Sequence, residues 1–349
     1  MRPAADIWRT VSRLIVPPPR MSVSDWLDSH RVIGVGYPSA FPGPWRTSRT
    51  PYLKEPLDSF DDPSVETLVL LFSSQIGKTE MLLGSLLYAY GADASPGMYV
   101  MPTVKVAEEF SKDRLVRALQ TCVTIQVGAQ KGRDADNAIL NKRVNGFALA
   151  LAGAESPATL ASRPVRRLWA DEIDKYPSST AEGDPLAQAV QRTASFRRRK
   201  IALASTPTVK GASRIEEAYE QSDQRKLFAP CPRCGVSFVV EWHHVRWQGD
   251  DPSTAHILHD IPEAEVASGT DPGCGGRIED HERQAMFSAA KWRPTNPIAA
   301  KNVRGYRTWA IVSPWLRLSE IVAGFLKARR QPETLQSWIN LIRGESWEI

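Results

Sequence analysis

Much that a chain can carry is missing here. No apolar run approaches the roughly 20 residues a spanning helix needs, and the densest, Leu68–Phe72, is far shorter. The opening residues, MRPAADIWRT, lack the basic-then-apolar plan of a signal peptide, so the expectation is a cytoplasmic protein with no membrane partner. Four cysteines in 349 residues are too few for a disulfide framework; three of them, Cys231, Cys234 and Cys274, fall in one region, which points to metal. Internal repeats and low-complexity tracts are absent, which removes solenoids and fibrous chains. Neither sign of charge dominates: a net charge of +5 fits a polyanionic partner without identifying one.

What is present reads as globular, with 42% hydrophobic and 24% charged residues in a chain long enough for one large domain and a smaller module. The first stretch is rich in Pro, Trp and Arg (YPSAFPGPWRTSRTPYLKEP) and predicts an irregular arm, 1–60. Thr67–Phe72 then runs apolar without alternation, the pattern of a strand buried on both faces of a parallel sheet. From Thr79 to Tyr90 the apolar residues Leu83, Leu86, Leu87 and Tyr90 recur at helical spacing. Further strands are predicted at Met98–Met101, Phe147–Ala152, Leu168–Ala170, Ile201–Ser205 and Tyr306–Val312. Helices are predicted near Val104–Leu119, Leu186–Ala194, Ser319–Arg330 and Glu333–Ile342. This alternation predicts an α/β fold, a mostly parallel sheet flanked by helices. The chain divides into the arm, an α/β core at 61–226, a cysteine insert at 227–282 and a closing part of the core region at 283–349.

Phe72-Ser73-Ser74-Gln75-Ile76-Gly77-Lys78-Thr79 occupies the frame G-x-x-x-x-G-K-[ST], with Phe72 where the first glycine belongs. The triplet alone is common by chance, but a buried strand before it and a helix after it put backbone N–H groups where phosphates bind. An ordinary strand-to-helix turn with a solvated lysine is the bland alternative. In the functional reading Ser74 to Glu80 cradle the nucleotide, Lys78 bridges the β- and γ-phosphates and the Thr79 hydroxyl binds Mg²⁺. The second half of such a site is an acid at the end of a neighbouring strand. Leu168-Trp169-Ala170-Asp171-Glu172 supplies two: Asp171 to hold Mg²⁺ and Glu172 to deprotonate the attacking water. Asp174 reads as part of the following turn. Ser205 and Thr206 end the next strand, where small hydroxyls can sense the γ-phosphate. Arg163 and Arg192 are candidate arginine fingers, and the run Arg197–Lys200 reads as a solvated face.

Cys231-Pro232-Arg233-Cys234-Gly235 is a metal knuckle, two thiolates on one tight turn. Asp271-Pro272-Gly273-Cys274-Gly275 repeats its frame with Asp for the first Cys. Three thiolates and Asp271 could therefore close a tetrahedral zinc site, with His243 or His244 as the alternative fourth ligand.

Taken together these residues resemble the large terminase subunits of the lambda-type GpA group. The likeness is carried by PGPWRTSRTPYLKEPLDSF, SSQIGKTE, MPTVKVAEEFSKDRL, AGAESPATLASRPVRRLWADEIDKYP and the stretch from GDPLAQAVQ to FAPCPRCG. The resemblance implies an ATP- and Mg²⁺-dependent motor that packages double-stranded DNA in the host cytoplasm. It gives Lys78 and Thr79 the Walker A roles, Asp171 and Glu172 the Walker B and base roles, and Ser205-Thr206 the coupling role. The implied partners are a small terminase subunit and the portal ring of the prohead, on which the chain would form a homo-oligomer. Ser74 stands where many terminases have arginine, so a loop arginine is expected to be replaced from elsewhere. The family's nuclease domain would begin about where this sequence stops, and no DNA cleavage is expected of this polypeptide. Two rival readings share parts of the pattern: another P-loop translocase or helicase, and a zinc-ribbon DNA-binding module with a vestigial P-loop.

Overall fold

The structure, a computed structural model, describes residues 21–39, 41–128, 138–161, 163–260 and 273–348. Its centre is a sheet of ten strands: β1 (Thr67–Phe72), β2 (Gly97–Met101), β3 (Asn141–Val144), β4 (Phe147–Gly153), β5 (Arg167–Asp171), β6 (Lys200–Ser205), β7 (Arg225–Pro230), β8 (Ser237–Val239), β9 (Lys291–Arg293) and β10 (Val303–Thr308). Their order is β8-β7-β10-β1-β6-β5-β2-β4-β3, with β9 also paired to β7. The run from β7 to β4 is parallel throughout; β8 and β9 against β7, and β3 against β4, are antiparallel. The unbroken apolar run of β1 follows from its central place. Leu68, Leu70 and Phe72 face one core, Val69 and Leu71 face the other, and all five are buried.

Three expectations need correcting. β1 and β5 are not neighbours, because β6 lies between them. Strand neighbourhood is set by crossover connections that local sequence does not encode, and the two strand ends stand roughly 10 Å apart at ordinary sheet spacing. The strand expected at Tyr306–Val312 is instead Val303–Thr308 followed by a 3₁₀ turn at Ala310–Val312. The arm is also more regular than its composition implied. Val23–His30 is a helix, capped by the Ser22 side chain on the Asp25 N–H.

That arm helix lies on the helix that follows the P-loop, Lys78–Ala92, and two glycines explain how. A Cβ at Gly84 would stand 2.9 Å from Leu27 Cδ1, and one at Gly91 only 2.2 Å from Trp26 Cζ2. Glycines seven residues apart on one helical face open a groove that takes Leu27 and Trp26, both buried.

Beyond β8 the chain builds a three-stranded antiparallel sheet, Val245–Gln248, Asp251–Asp260 and Gly273–Ile278. The helices Leu318–Ala328 and Pro332–Trp338 bring Phe325 and Trp338 to Trp242, with ring centroids 5.1 and 4.8 Å away. The insert is therefore fastened both to the main sheet, through β7 and β8, and to the closing helices. No helix among the described residues is long and apolar enough to cross a membrane.

Candidate nucleotide site and cysteine cluster

The loop after β1 turns without its first glycine. Phe72 is still strand, paired with Thr308, buried, and stacked on Trp292 at 6.3 Å. The left-handed backbone falls instead on Gln75 (φ 60°) and Gly77 (φ 93°). At Gly77 a side chain would also approach Leu53 Cδ1 to 3.0 Å, so glycine answers both a backbone and a packing demand. Tyr52, buried in the arm, donates its hydroxyl to the Ile76 carbonyl (3.1 Å) and braces the loop from behind. Ser73 and Ser74 donate their N–H groups to Thr308 O (3.3 Å) and Leu341 O (2.7 Å). The helix begins at Lys78, with free N–H groups and a positive dipole end facing the loop.

Side chains close the gap between β1 and β5. The Thr79 hydroxyl donates to Asp171 Oδ2 at 2.8 Å, and Tyr99 from β2 donates to the same oxygen at 3.1 Å. Asp171 Oδ1 is buried with no hydrogen-bond partner. Complete burial, and after it the charge of Glu172, push the Asp171 carboxyl above its usual range. An orphaned, buried carboxylate oxygen beside a threonine hydroxyl is the donor set a hard cation takes. Thr79 and Asp171 therefore fit Mg²⁺.

Glu172 adopts a left-handed conformation (φ 56°, ψ 47°), which costs a non-glycine residue about 1 kcal/mol or more. Its carboxylate lies between two cations, Lys78 Nζ at 3.0 Å and Lys175 Nζ at 3.1 Å. Burial alone would raise this carboxyl, but Lys78 and Lys175 outweigh it and hold the group below the ordinary glutamate value. Thr206 Oγ1 stands 3.5 Å from Glu172 Oε2. Ser205 accepts the Asp174 N–H at 3.2 Å, so both hydroxyls of the β6 end touch the segment carrying the acids. Asp174 itself accepts from Ile215 N (2.8 Å) and Thr208 Oγ1 (3.0 Å), the work of a turn residue.

Glu80 does not behave as a loop residue. Arg31 and Tyr37 of the arm hold its carboxylate, the tyrosine at 2.5 Å, and Arg114 stands 3.7 Å away. The arm takes up a side chain assigned from sequence to the nucleotide, a contact no local pattern announces. Arg163 is exposed, and Arg192 is half-buried with its Nε unpartnered. The basic run is partly structural: Arg199 pairs with Glu66 at 2.7 Å, and Lys200 donates to the carbonyls of Asp62 and Val65.

In the insert, the Cys231, Cys234 and Cys274 sulfurs gather with His259 Nδ1, all four atoms within 4.8 Å of one another. Gly235 and Gly275, at φ 78° and 66°, make the two tight turns. His243 and His244 are not in the group; His244 Nδ1 instead accepts the Glu241 N–H at 3.0 Å. Asp271 lies outside the described residues. His259 was missed because it shares its strand with His256 and lies 25 residues from Cys234 and 15 from Cys274, so no knuckle spacing marks it out.

A parallel sheet with β6 between the loop strand and the acid strand defines the ASCE, RecA-like class of P-loop NTPase fold. Within that class the assignment is specific: residues 39–292 match the family model for the phage terminase large subunit gpA, ATPase domain, and the chain belongs to that family. A large terminase subunit of Enterobacteria phage P21 is 24% identical over 352 residues, covering 96% of this chain and 54% of that protein. The chain thus spans about half the length of this curated relative. The large terminase of bacteriophage HK97 shares the fold, with a TM-score of 0.50 and 13% identity over 93% of this chain and 56% of that one. The Thermus phage P74-26 large terminase ATPase domain gives a TM-score of 0.47 at 15% identity, over 83% of this chain and 92% of its own.

Proposed function

We propose that this chain hydrolyses ATP on the loop Ser74–Thr79 and spends that turnover on moving double-stranded DNA into a prohead. The observation that carries the reading is the meeting of Lys78 with Glu172 and of Thr79 with Asp171, the second pair joining residues 92 positions apart in the chain. Lys78 would leave Glu172 to bridge the β- and γ-phosphates. Glu172, freed, accepts a proton from water as its oxygen attacks the γ-phosphorus; the bond to the β-phosphate oxygen breaks and ADP departs with that electron pair. Mg²⁺ on Thr79 and Asp171 would neutralise charge on the phosphates when bound. Thr206, within reach of Glu172, and Ser205, bonded to the turn after it, suit a coupling role, since a moved Glu172 changes what the β6 end can bond to.

By family membership, the proposed partners are a small terminase subunit, the portal ring and further copies of this chain on that ring. The proposed setting is the cytoplasm of an infected host. In the insert we infer one structural zinc on Cys231, Cys234 and Cys274. The Cys231–Cys274 Sγ separation of 3.8 Å supports it, because thiolates about 2.3 Å from a tetrahedral zinc stand about 3.8 Å apart.

The decisive experiment is a DNA-stimulated ATPase assay on the pure chain, with Lys78→Ala and Glu172→Gln beside it. Turnover by the wild type and its loss in both variants is expected. Equal, residual rates in all three would leave only a passive binder.

A further inference from the structure

We infer that His259, through Nδ1, is the fourth ligand of the zinc site, and that the metal rivets the insert's small sheet to the edge of the ATPase sheet; this rests on the zinc reading above.

Distances argue first. His259 Nδ1 stands 3.5 Å from the sulfur of Cys234 and 3.5 Å from that of Cys274. With Zn–S near 2.3 Å and Zn–N about 2.0–2.1 Å at tetrahedral angles, a nitrogen-to-sulfur edge is about 3.5 Å. The sulfur-to-sulfur edge fits the same centre, so both kinds of edge agree with one ion.

The ring is also held in place beforehand. His259 is 1% exposed and stacks on Phe238 of β8 at 4.1 Å, while Phe238 meets His244 edge-on at 5.1 Å. A ligand fixed by packing loses little freedom on binding. Gly273 serves the same purpose: a Cβ there would fall 2.4 Å from the His259 carbonyl oxygen, so glycine lets the Cys274 strand close on His259. On the far side Arg233, between the first two cysteines, forks onto Glu282 at 2.8 and 2.7 Å and fixes the knuckle to the helix Asp280–Ser288.

The four ligands come from three elements. Cys231 and Cys234 sit on the turn between β7 and β8 of the main sheet, His259 on Asp251–Asp260 and Cys274 on Gly273–Ile278. A metal at their centre joins two sheets that share no strand pairing among the described residues. The small sheet in turn carries Trp247, 5.6 Å from Phe325, and the closing helices lead on to Leu341, whose carbonyl receives the Ser74 N–H of the nucleotide loop.

The test uses the full chain, purified without chelators. Zinc is counted by elemental analysis and affinity is read by cobalt(II) titration for wild type, His259→Ala, His259→Cys and Asp271→Ala. One zinc per wild-type chain is expected. His259→Ala should lose more affinity than the roughly 10–100-fold that removal of an outer-shell partner costs. His259→Cys should still bind and show stronger thiolate-to-cobalt charge transfer, while Asp271→Ala should match the wild type. Should His259→Ala fail to fold, the cobalt spectrum of His259→Cys decides, since an unchanged spectrum would remove His259 from the site. Loss of zinc in Asp271→Ala with retention in His259→Ala would leave the zinc reading standing and overturn this one. Wild-type protein free of zinc would overturn both.

Discussion

Lys78 Nζ and Glu172 Oε1 stand 3.0 Å apart, so the cation that opens the helix after the loop neutralises the acid that follows β5. The lysine side chain is 6% exposed and the glutamate 19%, so water offers neither much relief from the other. On the function proposed above, arrival of a triphosphate breaks this pair, because the ammonium group cannot serve both anions at short range. On that reading the pair keeps Glu172 from accepting a proton until the phosphates compete for Lys78.

Substituting Glu172→Gln removes the proton acceptor and weakens the competition for Lys78. Turnover should fall by about 10²–10⁴-fold, the range for loss of a positioned general base. ATP affinity should be unchanged or higher, since the amide holds Lys78 less firmly. Single-turnover kinetics beside equilibrium binding separate the two effects. A variant that lost binding as well as turnover would show Glu172 to be structural.

Lys175 is the partner Glu172 keeps when Lys78 departs. It is 58% exposed, so its ion pair is worth at most about 1 kcal/mol, or roughly fivefold in rate. Lys175→Met should lower kcat by no more than that while leaving KM for ATP nearly unchanged, and Lys175→Arg should restore kcat. An effect confined to KM would place Lys175 on the nucleotide instead.

Gly91→Ala tests the seat of the arm. Alanine favours a helix by about 1 kcal/mol over glycine, and in an open position this change would stabilise. Here the new methyl would lie 2.2 Å from the Trp26 ring, and overpacking of that kind costs about 1–3 kcal/mol. A lower melting temperature is expected, recovered in part by Trp26→Leu, with the non-additivity marking direct contact. Additive effects would mean that the two helices do not pack at this point.

The sequence stated some of this clearly and left the rest silent for physical reasons. β1, β2, β4, β5 and β6 were legible because strands buried on both faces need unbroken apolar runs. Lys78, Thr79, Asp171 and Glu172, singled out in the sequence because each follows a buried strand, do meet in space as two pairs. The interposition of β6 was not, since it follows from how crossovers wind, and neither were Tyr52 and Tyr99, whose polar tips matter only after packing brings them to Ile76 and Asp171. The contacts of Glu80 with Arg31 and Tyr37 were silent too, since no local pattern announces that the arm would reach it. His259 is the sharpest case: the two knuckles announced a metal, but the residue that completes the group is set by register between Asp251–Asp260 and Gly273–Ile278.

Lys200 gives a prediction in pH. Its ammonium group donates to the carbonyls of Asp62 and Val65, sealing the turn that leads into β1. Burial, only partly offset by Asp61 and Asp62 and reinforced by Arg167 and Arg166, pushes its pKa down from 10.5 to about 8. Between those values the unfolded chain holds a proton that the folded chain has released, so stability contributed at this site rises with pH across the window. Below pH 8 the cost of the buried charge is present in full, and above 10.5 it has gone. Lys200→Met removes the titration while keeping the length of the side chain. The stability of wild type relative to this variant, measured by urea unfolding, should therefore improve from pH 7 to pH 9.5. A difference that stayed flat would mean that the lysine reaches solvent and titrates normally, and the turn at Asp62–Val65 would then need another account of its closure.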